Sequence, residues 1–254
     1  MVIGAIAFGM LFACRAAEAH FLVLVPDRDV VDSPQDRDVT FDIRFTHPME
    51  RGPVMQMDRP QRFEVRIGDR TIDLKDRLEA REIDGHQAFT ADVRLATPGD
   101  HVFCIEPAPY WEPAEGKMIV HFTKVVVNFL GDESGWDKPV GMPVEIEPLV
   151  RPYGIWTGNA FRGIVRKHGK PVPFATIEVE YLNDAGDVTP PNDAFVTQVI
   201  KADAQGTFTY SIPKSGWWGF AALVDGDEPM TAPTGEKVPV EWGGLLWVRA
   251  VDIR

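Results

Sequence analysis

The sequence predicts an all-β protein built from two tandem β-sandwich domains. Short runs alternate between apolar and polar residues at a period of two, which is the side-chain period of a half-buried strand. Gly, Pro, Asn and Asp separate these runs, and no long stretch competes with the 3.6-residue period of a helix. With 254 residues, the chain is long enough to bury one large core or two modest ones.

The strand-like runs follow one another along the chain. In order they are FLVLVP, DVTFDIRF, RFEVRIG, AFTADVRL, HVFCIEP, MIVHFTKVVVNF, PVEIEPLV, FRGIVRK, TIEVEYL, FVTQVIKA, GTFTYSIP, WGFAALV and LLWVRAVDI. Pro148 and the segment RPYG interrupt this series, so we expect a domain junction near residue 150. The predicted domains are residues 20–150 and 151–254, each with enough strands for a sandwich.

Residues 1–19 have the pattern of a secretory signal peptide. The run MVIGAIAFGMLFA is apolar, and AEA supplies the small residues of a cleavage site, although no basic residue precedes the run. The run is too short for a stable bilayer anchor. Cleavage after Ala19 would make His20 the first residue of a periplasmic protein. If Cys14 were lipidated instead, the protein would be anchored and His20 would be internal.

Charge and cysteine content exclude several classes of function. The formal net charge of -12 makes nucleic acid a poor partner and favours cations. Removal of residues 1–19 leaves Cys104 alone, which excludes an internal disulfide and a thiolate cluster, and its strand context predicts a buried apolar side chain. The chain lacks Gly-x-Ser-x-Gly, His-Glu-x-x-His and a phosphate-binding glycine loop, so we expect no enzymatic activity.

Two of the six histidines lie on inward-facing positions of predicted strands. His47 continues the apolar face of VTFDIRFTHP, and His121 belongs to the more apolar face of IVHFTKVVVNF. Either residue alone also fits a histidine at the core edge that bonds a carbonyl group. His86 and His168 are expected in solvated turns, and His101 at the surface.

A mature N-terminus at His20 would favour a metal site. The α-amine and imidazole Nδ1 of His20 can chelate one ion, and His47 and His121 can add nitrogen ligands. Such ligands suit Ni(II), Co(II), Cu(II) or Zn(II) better than Ca(II) or Mg(II).

Additional ligands and other functions stay open at this point. Glu106, Glu112 and Glu115 precede the His121 strand and are candidate oxygen ligands, with Glu106 the first choice. Met55 and Met57 would suit Cu(I) in a copper chaperone, although loop packing also explains them. Further alternatives are a copper oxygenase and a carbohydrate-binding or purely structural sandwich.

Several longer segments also match a known family. They are AHFLVLVP, RFTHPMERGPVMQMDRP, IEPAPYWEPAEGK, VHFTKVVVN, RPYGIWTGNAF, GKPVPFATIEVEYLN, FVTQVIKADAQGTFTY and SGWWGFAAL. Together they resemble the periplasmic family labelled nickel transport, NikM-like, over the whole chain after residue 19. The resemblance implies a nickel- or cobalt-binding protein that works beside an inner-membrane nickel or cobalt transporter, with His20, His47 and His121 in its histidine-bearing segments. Residues 161–224 also resemble the prealbumin-like sandwich of carboxypeptidase regulatory domains, which implies a supporting or binding module.

Overall fold

The computed structural model describes residues 20–253, so the predicted signal peptide and Cys14 lie outside the described residues. The strands are β1 (Phe21–Pro26), β2 (Val30–Val31), β3 (Asp38–Thr46), β4 (Arg62–Ile67), β5 (Arg70–Asp73), β6 (Leu78–Ile83), β7 (His86–Arg94), β8 (Gly99–Glu106), β9 (Tyr110–Glu112), β10 (Lys117–Phe129), β11 (Val144–Pro148), β12 (Ile155–Trp156), β13 (Ala160–Lys167), β14 (Lys170–Pro171), β15 (Thr176–Tyr181), β16 (Gln198–Lys201), β17 (Thr207–Ser211), β18 (Gly216–Asp225), β19 (Met230–Thr231), β20 (Lys237–Val238) and β21 (Val240–Val251). Short 3-10 helices cover Pro34–Asp36, Lys75–Arg77 and Asp193–Phe195. The all-β prediction is confirmed. No helix in the described part of the chain has the length and apolarity needed to cross a bilayer.

A first sandwich forms from the strands of the N-terminal half. One sheet has the order β1-β3-β7-β6, and it faces the β10-β8-β4-β5 part of a longer sheet. Apolar residues of both sheets, such as Phe41 of β3 and Phe103 of β8, interdigitate in one core, with ring centroids 4.4 Å apart. Alternating side chains of β3 supply this core, as the period-two pattern predicts.

A second sandwich forms mainly from the C-terminal half. Its small sheet contains β11, β13, β14 and β17, and it faces the β16-β15-β18-β21 part of the long sheet. Phe161 of β13, Phe208 of β17 and Phe220 of β18 lie at the centre of this core. The turn that joins β13 and β14 has positive φ at His168 and Gly169, which suits a two-residue hairpin and confirms the predicted turn.

The long sheet joins the two sandwiches, because β10 pairs in parallel with β21. β11 ends at Pro148, yet it pairs with β13 of the second half. Chain segments on both sides of residue 150 therefore contribute to the long sheet and to the small sheet of the second sandwich. The division into domains at residue 150 stays a prediction.

The first strand is buried along its whole length. β1 pairs with β3 on one side and packs across β10, β18 and β21. Trp247 of β21 donates a hydrogen bond from Nε1 to the Leu22 carbonyl at 3.0 Å. Phe21 packs so closely over Gly219 of β18 that a Cβ there would lie 2.9 Å from the Phe21 ring. These contacts explain why FLVLVP has no polar face.

Candidate functional site

His20 and His47 lie next to each other where the β1–β3 ladder ends. The antiparallel register pairs Phe21 with Thr46, so one further step places His20 opposite His47. Residues directly opposite in such a ladder have neighbouring side chains. The two ring centroids are 4.6 Å apart, and both residues are buried. The predicted inward-facing position of His47 is confirmed.

The Glu112 carboxylate contacts His20 of this histidine pair. Its Oε2 lies 2.9 Å from His20 Nε2, while its Oε1 accepts a hydrogen bond from the Ala114 amide at 2.8 Å. The second bond holds the turn between β9 and β10, and this turn places Glu112 beside the end of β1. Glu106, the first choice from sequence, instead lies opposite Arg62 in the β4–β8 ladder.

His121 lies in the middle of β10, beside Gly243 of β21. The side chain is buried, and within residues 20–253 neither ring nitrogen has a hydrogen-bond partner. Burial, together with the smaller effect of positive charge on His20 and Lys117, lowers the pKa of His121 to about 3. The imidazole is therefore neutral at physiological pH, with an unprotonated nitrogen that can accept a proton or bind a metal ion.

Phe45 separates His121 from the other two histidines. Its ring stacks on His20 at a centroid distance of 5.7 Å and meets His121 edge-on at 5.6 Å. Consistent with this spacing, the described residues contain no group of three or more His, Cys, Asp or Glu side chains arranged to hold a metal ion. The fold thus brings the three predicted histidines into one region, with two in direct ring contact.

The segment after His47 is attached to the second sandwich. The Met49 amide donates a hydrogen bond to Glu180 Oε2 at 3.1 Å, and Asn183 Nδ2 donates to the Met49 carbonyl at 2.9 Å. Gly52 lies against the His47 ring, where a Cβ would be 2.8 Å from His47 Cβ. The main chain of His47 is thereby held between the β1–β3 ladder and β15.

The candidate methionine ligands pack against the protein core. Met57 is buried in the first core, and Met55 is partly buried against the same residues. The Met55 amide also donates to the Phe45 carbonyl at 2.8 Å. These positions match the packing role that the sequence allowed for methionine.

The remaining histidines and the cysteine give three confirmed predictions and one correction. His86 and His168 are exposed, and Cys104 is buried, where desolvation raises the pKa of its thiol to about 12. The expected surface position of His101 is wrong. Its ring is buried against Phe103 and Phe129, because both faces of β8 are covered by neighbouring elements.

Sequence reasoning missed two residues that shape the site. Phe45 was predicted only as part of an apolar face, and Gly243 was not singled out. A Cβ at Gly243 would lie 2.5 Å from His121 Cδ2, so the glycine provides the space that the imidazole occupies. The sequence feature that could have pointed to Gly243 is the pair Gly243-Gly244 inside a strand, because glycine within a strand often marks a site where another group approaches the backbone closely.

Comparison with known proteins gives distant structural similarity. The adhesin InvE of Yersinia pseudotuberculosis aligns with 13% identity over 87% of this chain and 58% of its own, at a TM-score of 0.26. A putative carbohydrate-binding protein from Bacteroides uniformis aligns with 13% identity over 78% of this chain and 92% of its own, at a TM-score of 0.25. Native alpha-2-macroglobulin from E. coli aligns with 10% identity over 91% of this chain and 14% of its own, at a TM-score of 0.26. TM-scores this low make none of these proteins a guide to function.

Sequence comparison assigns the chain to a family without an assigned function. No curated protein matches it. The model of DUF4198, described as a domain of unknown function, matches residues 17–226, which is most of the chain. The protein therefore belongs to the DUF4198 family.

Proposed function

We propose that this protein captures a divalent metal ion, Ni(II) or Co(II), at His20 and His47 and delivers it to an inner-membrane transporter from the periplasm. The observation that carries the proposal is the contact between the His20 and His47 imidazoles, whose ring centroids are 4.6 Å apart. The Glu112 carboxylate pairs with Nε2 of His20 beside this contact. Similarity of the sequence to the NikM-like nickel-transport family supports the choice of cargo and location.

The ion pair with Glu112 gives His20 a defined orientation. A carboxylate that pairs with one imidazole nitrogen fixes the ring and raises the basicity of the other nitrogen. With Nε2 beside Glu112, the metal ligand is Nδ1, the ring nitrogen that can chelate together with the α-amine of a processed His20. Nitrogen atoms from two residues would then give three ligands, which suits Ni(II), Co(II), Cu(II) or Zn(II).

His121 would complete the site only after Phe45 moves. Phe45 touches both His20 and His121, so a rotation of its side chain would open the space between the third imidazole and the ion. Because His121 is neutral, no proton has to leave before it binds a metal. A site that gains or loses one ligand by such a rotation suits capture followed by release.

Metal titration of protein purified from the periplasm tests the proposal. We expect mass spectrometry to show His20 at the N-terminus, and calorimetry to show one Ni(II) or Co(II) ion per chain. His47→Ala and one Gly inserted before His20 should each abolish this binding. Glu112→Gln should weaken it about 10- to 100-fold, because the variant loses the carboxylate that orients His20.

Matched controls separate this site from incidental binding. His86→Ala removes an exposed histidine at the start of β7, and Glu115→Gln removes an exposed carboxylate close to Glu112 in sequence, so both variants should bind metal normally. Binding that is unchanged in the His47→Ala and Gly-inserted variants would disprove the site. Absence of any metal binding would instead favour a carbohydrate-binding or structural sandwich.

A further inference from the structure

A cavity opens beside the histidine region, between residues 56–58, residues 107–111 and β10. Its volume is about 260 Å³. We call it the Tyr110 pocket, and it is lined chiefly by Leu22, Phe45, Met57, Tyr110, Trp111 and Ile119. The Tyr110 ring lies 5.1 Å from Phe45 and 5.8 Å from His20, measured between ring centroids. His121 is also part of the lining, whereas His20 and His47 are not, so the pocket adjoins the candidate metal site without including the His20–His47 contact.

The size of the pocket suits a single ring with a short substituent. An apolar cavity of about 150 Å³ is enough to bind benzene. The Tyr110 pocket is larger than this, and its inner wall of Leu22, Met57 and Ile119 is buried. Burial of an aromatic ring against these side chains removes apolar surface of both the ligand and the pocket wall from water, which favours binding.

The charges around the pocket favour a cation. Asp58 and Gln56 line the pocket and are exposed, which places them at its mouth, and the lining residues include no Lys or Arg. Tyr110 and Trp111 are half-buried, and aromatic faces attract an ammonium group. The net charge of -12 acts in the same direction. Among the lining residues, an anionic ligand would meet the carboxylate of Asp58 and no Lys or Arg side chain.

We infer that the Tyr110 pocket binds a small aromatic amine, with its ring between Phe45, Met57 and Ile119 and its ammonium group beside Asp58. This binding uses neither His20 nor His47 and needs no metal ion, although Phe45 and His121 belong both to the pocket lining and to the proposed metal site. It adds an organic ligand class to a protein whose proposed cargo is a metal ion.

Three probes of similar size and different charge test the inference. Benzylamine, benzyl alcohol and benzoate are titrated into the full-length processed protein in the presence of EDTA, with binding followed by ligand-observed NMR. We expect benzylamine to bind most tightly and benzoate not to bind. Equal binding of benzyl alcohol and benzylamine, or binding of benzoate, would overturn the assignment of an amine. No saturable binding of benzylamine would overturn the pocket itself.

Two variants place the ligand in the pocket. Ala108 is half-buried in the lining loop, so Ala108→Trp should fill the mouth and abolish benzylamine binding without removing a core side chain. Asp58→Asn should weaken benzylamine binding about two- to fivefold, as expected for a solvent-exposed ion pair, and should leave benzyl alcohol unaffected. Asp69→Asn, an exposed carboxylate in the turn between β4 and β5, is the matched control and should bind benzylamine normally. Benzylamine affinity that Ala108→Trp leaves unchanged would refute the location.

Discussion

The position of the His121 imidazole depends on the absence of a side chain at residue 243. Gly243→Ala places a Cβ where the ring now lies, 2.5 Å from Cδ2, so the ring or β21 must shift. We expect a loss of about 1–3 kcal/mol in the free energy of unfolding, the usual cost of overpacking a core. Urea denaturation measures this loss. In a His121→Ala background the same substitution should cost less than about 1 kcal/mol, because the clash with the ring has gone and only the Leu245 Cδ1 methyl, 2.9 Å away, has to shift. Equal costs in both backgrounds would show that the ring does not limit residue 243.

Burial of His121 also predicts a loss of stability in acid. The pKa of His121 falls from 6.5 to about 3 on folding, so the unfolded chain binds a proton that the folded chain does not. Stability from this residue is complete above pH 6.5 and declines as the pH falls toward 3. Between pH 7 and pH 5 the decline should be about 2 kcal/mol. Unfolding by urea at both pH values, in wild type and His121→Leu, isolates this contribution. A wild-type loss no larger than that of the variant would contradict it.

Single residues were predictable from sequence only where they belong to a periodic pattern. Alternation along β3 predicted that His47, the residue directly after the strand, continues its buried face, and His47 is buried in the structure. The contact with Glu112 depends on the β9–β10 turn, which brings a residue 92 positions after His20 to the end of β1. No local pattern reports a contact of this kind, because it is set by how distant strands pack.

At the scale of elements, Glu180 of β15 holds the loop that follows His47. Burial raises the pKa of Glu180 to about 8, against the hydrogen bonds from Thr197 and Met49, which lower it. The folded chain thus retains a proton that the unfolded chain loses, so stability from this residue falls as the pH rises from about 4.5 to 8. This trend is opposite in sign to that of His121.

Glu180→Gln should remove this penalty while keeping an oxygen for the Met49 amide. We expect the free energy of unfolding of the variant, relative to that of wild type, to increase by about 2–3 kcal/mol when the pH rises from 5.5 to 7.5. Urea unfolding at the two pH values measures the gain. Burial also raises the pKa of Glu178, to about 7, so the difference between variant and wild type is the relevant quantity. A constant difference at both pH values would mean that Glu180 does not retain its proton in the folded protein.

Whole strands were easier to predict than their partners. Each alternating run of the sequence overlaps a strand, whereas β5 and β6 escaped detection because most of their residues are exposed. The parallel pairing of β10 with β21 joins segments more than 100 residues apart. Sequence periodicity carries no information on such a pair, and this pair determines that His121 meets Gly243.

At the scale of the whole molecule, the shared sheet should make the two sandwiches unfold together. Trp247 of β21 packs in the first core, while its neighbours Leu246 and Val248 pack in the second. Unfolding of either core therefore exposes side chains of β21, and β21 also supplies side chains to the remaining core. Independent domains divided at residue 150 would instead unfold separately, as weakly coupled domains do.

Truncation of one aromatic residue in each core distinguishes these cases. Phe41→Ala opens a cavity in the first core and Phe208→Ala in the second, at a cost of about 3–5 kcal/mol each. For a shared sheet, we expect each variant to show one transition by circular dichroism, and hydrogen exchange to accelerate in both β4 and β13. Two transitions, with faster exchange confined to the half that carries the substitution, would support the boundary at residue 150. In that case, unfolding of the second sandwich would break the hydrogen bond between Met49 and Glu180. The loop that follows His47 would then lose its attachment to β15 while the first core stays folded.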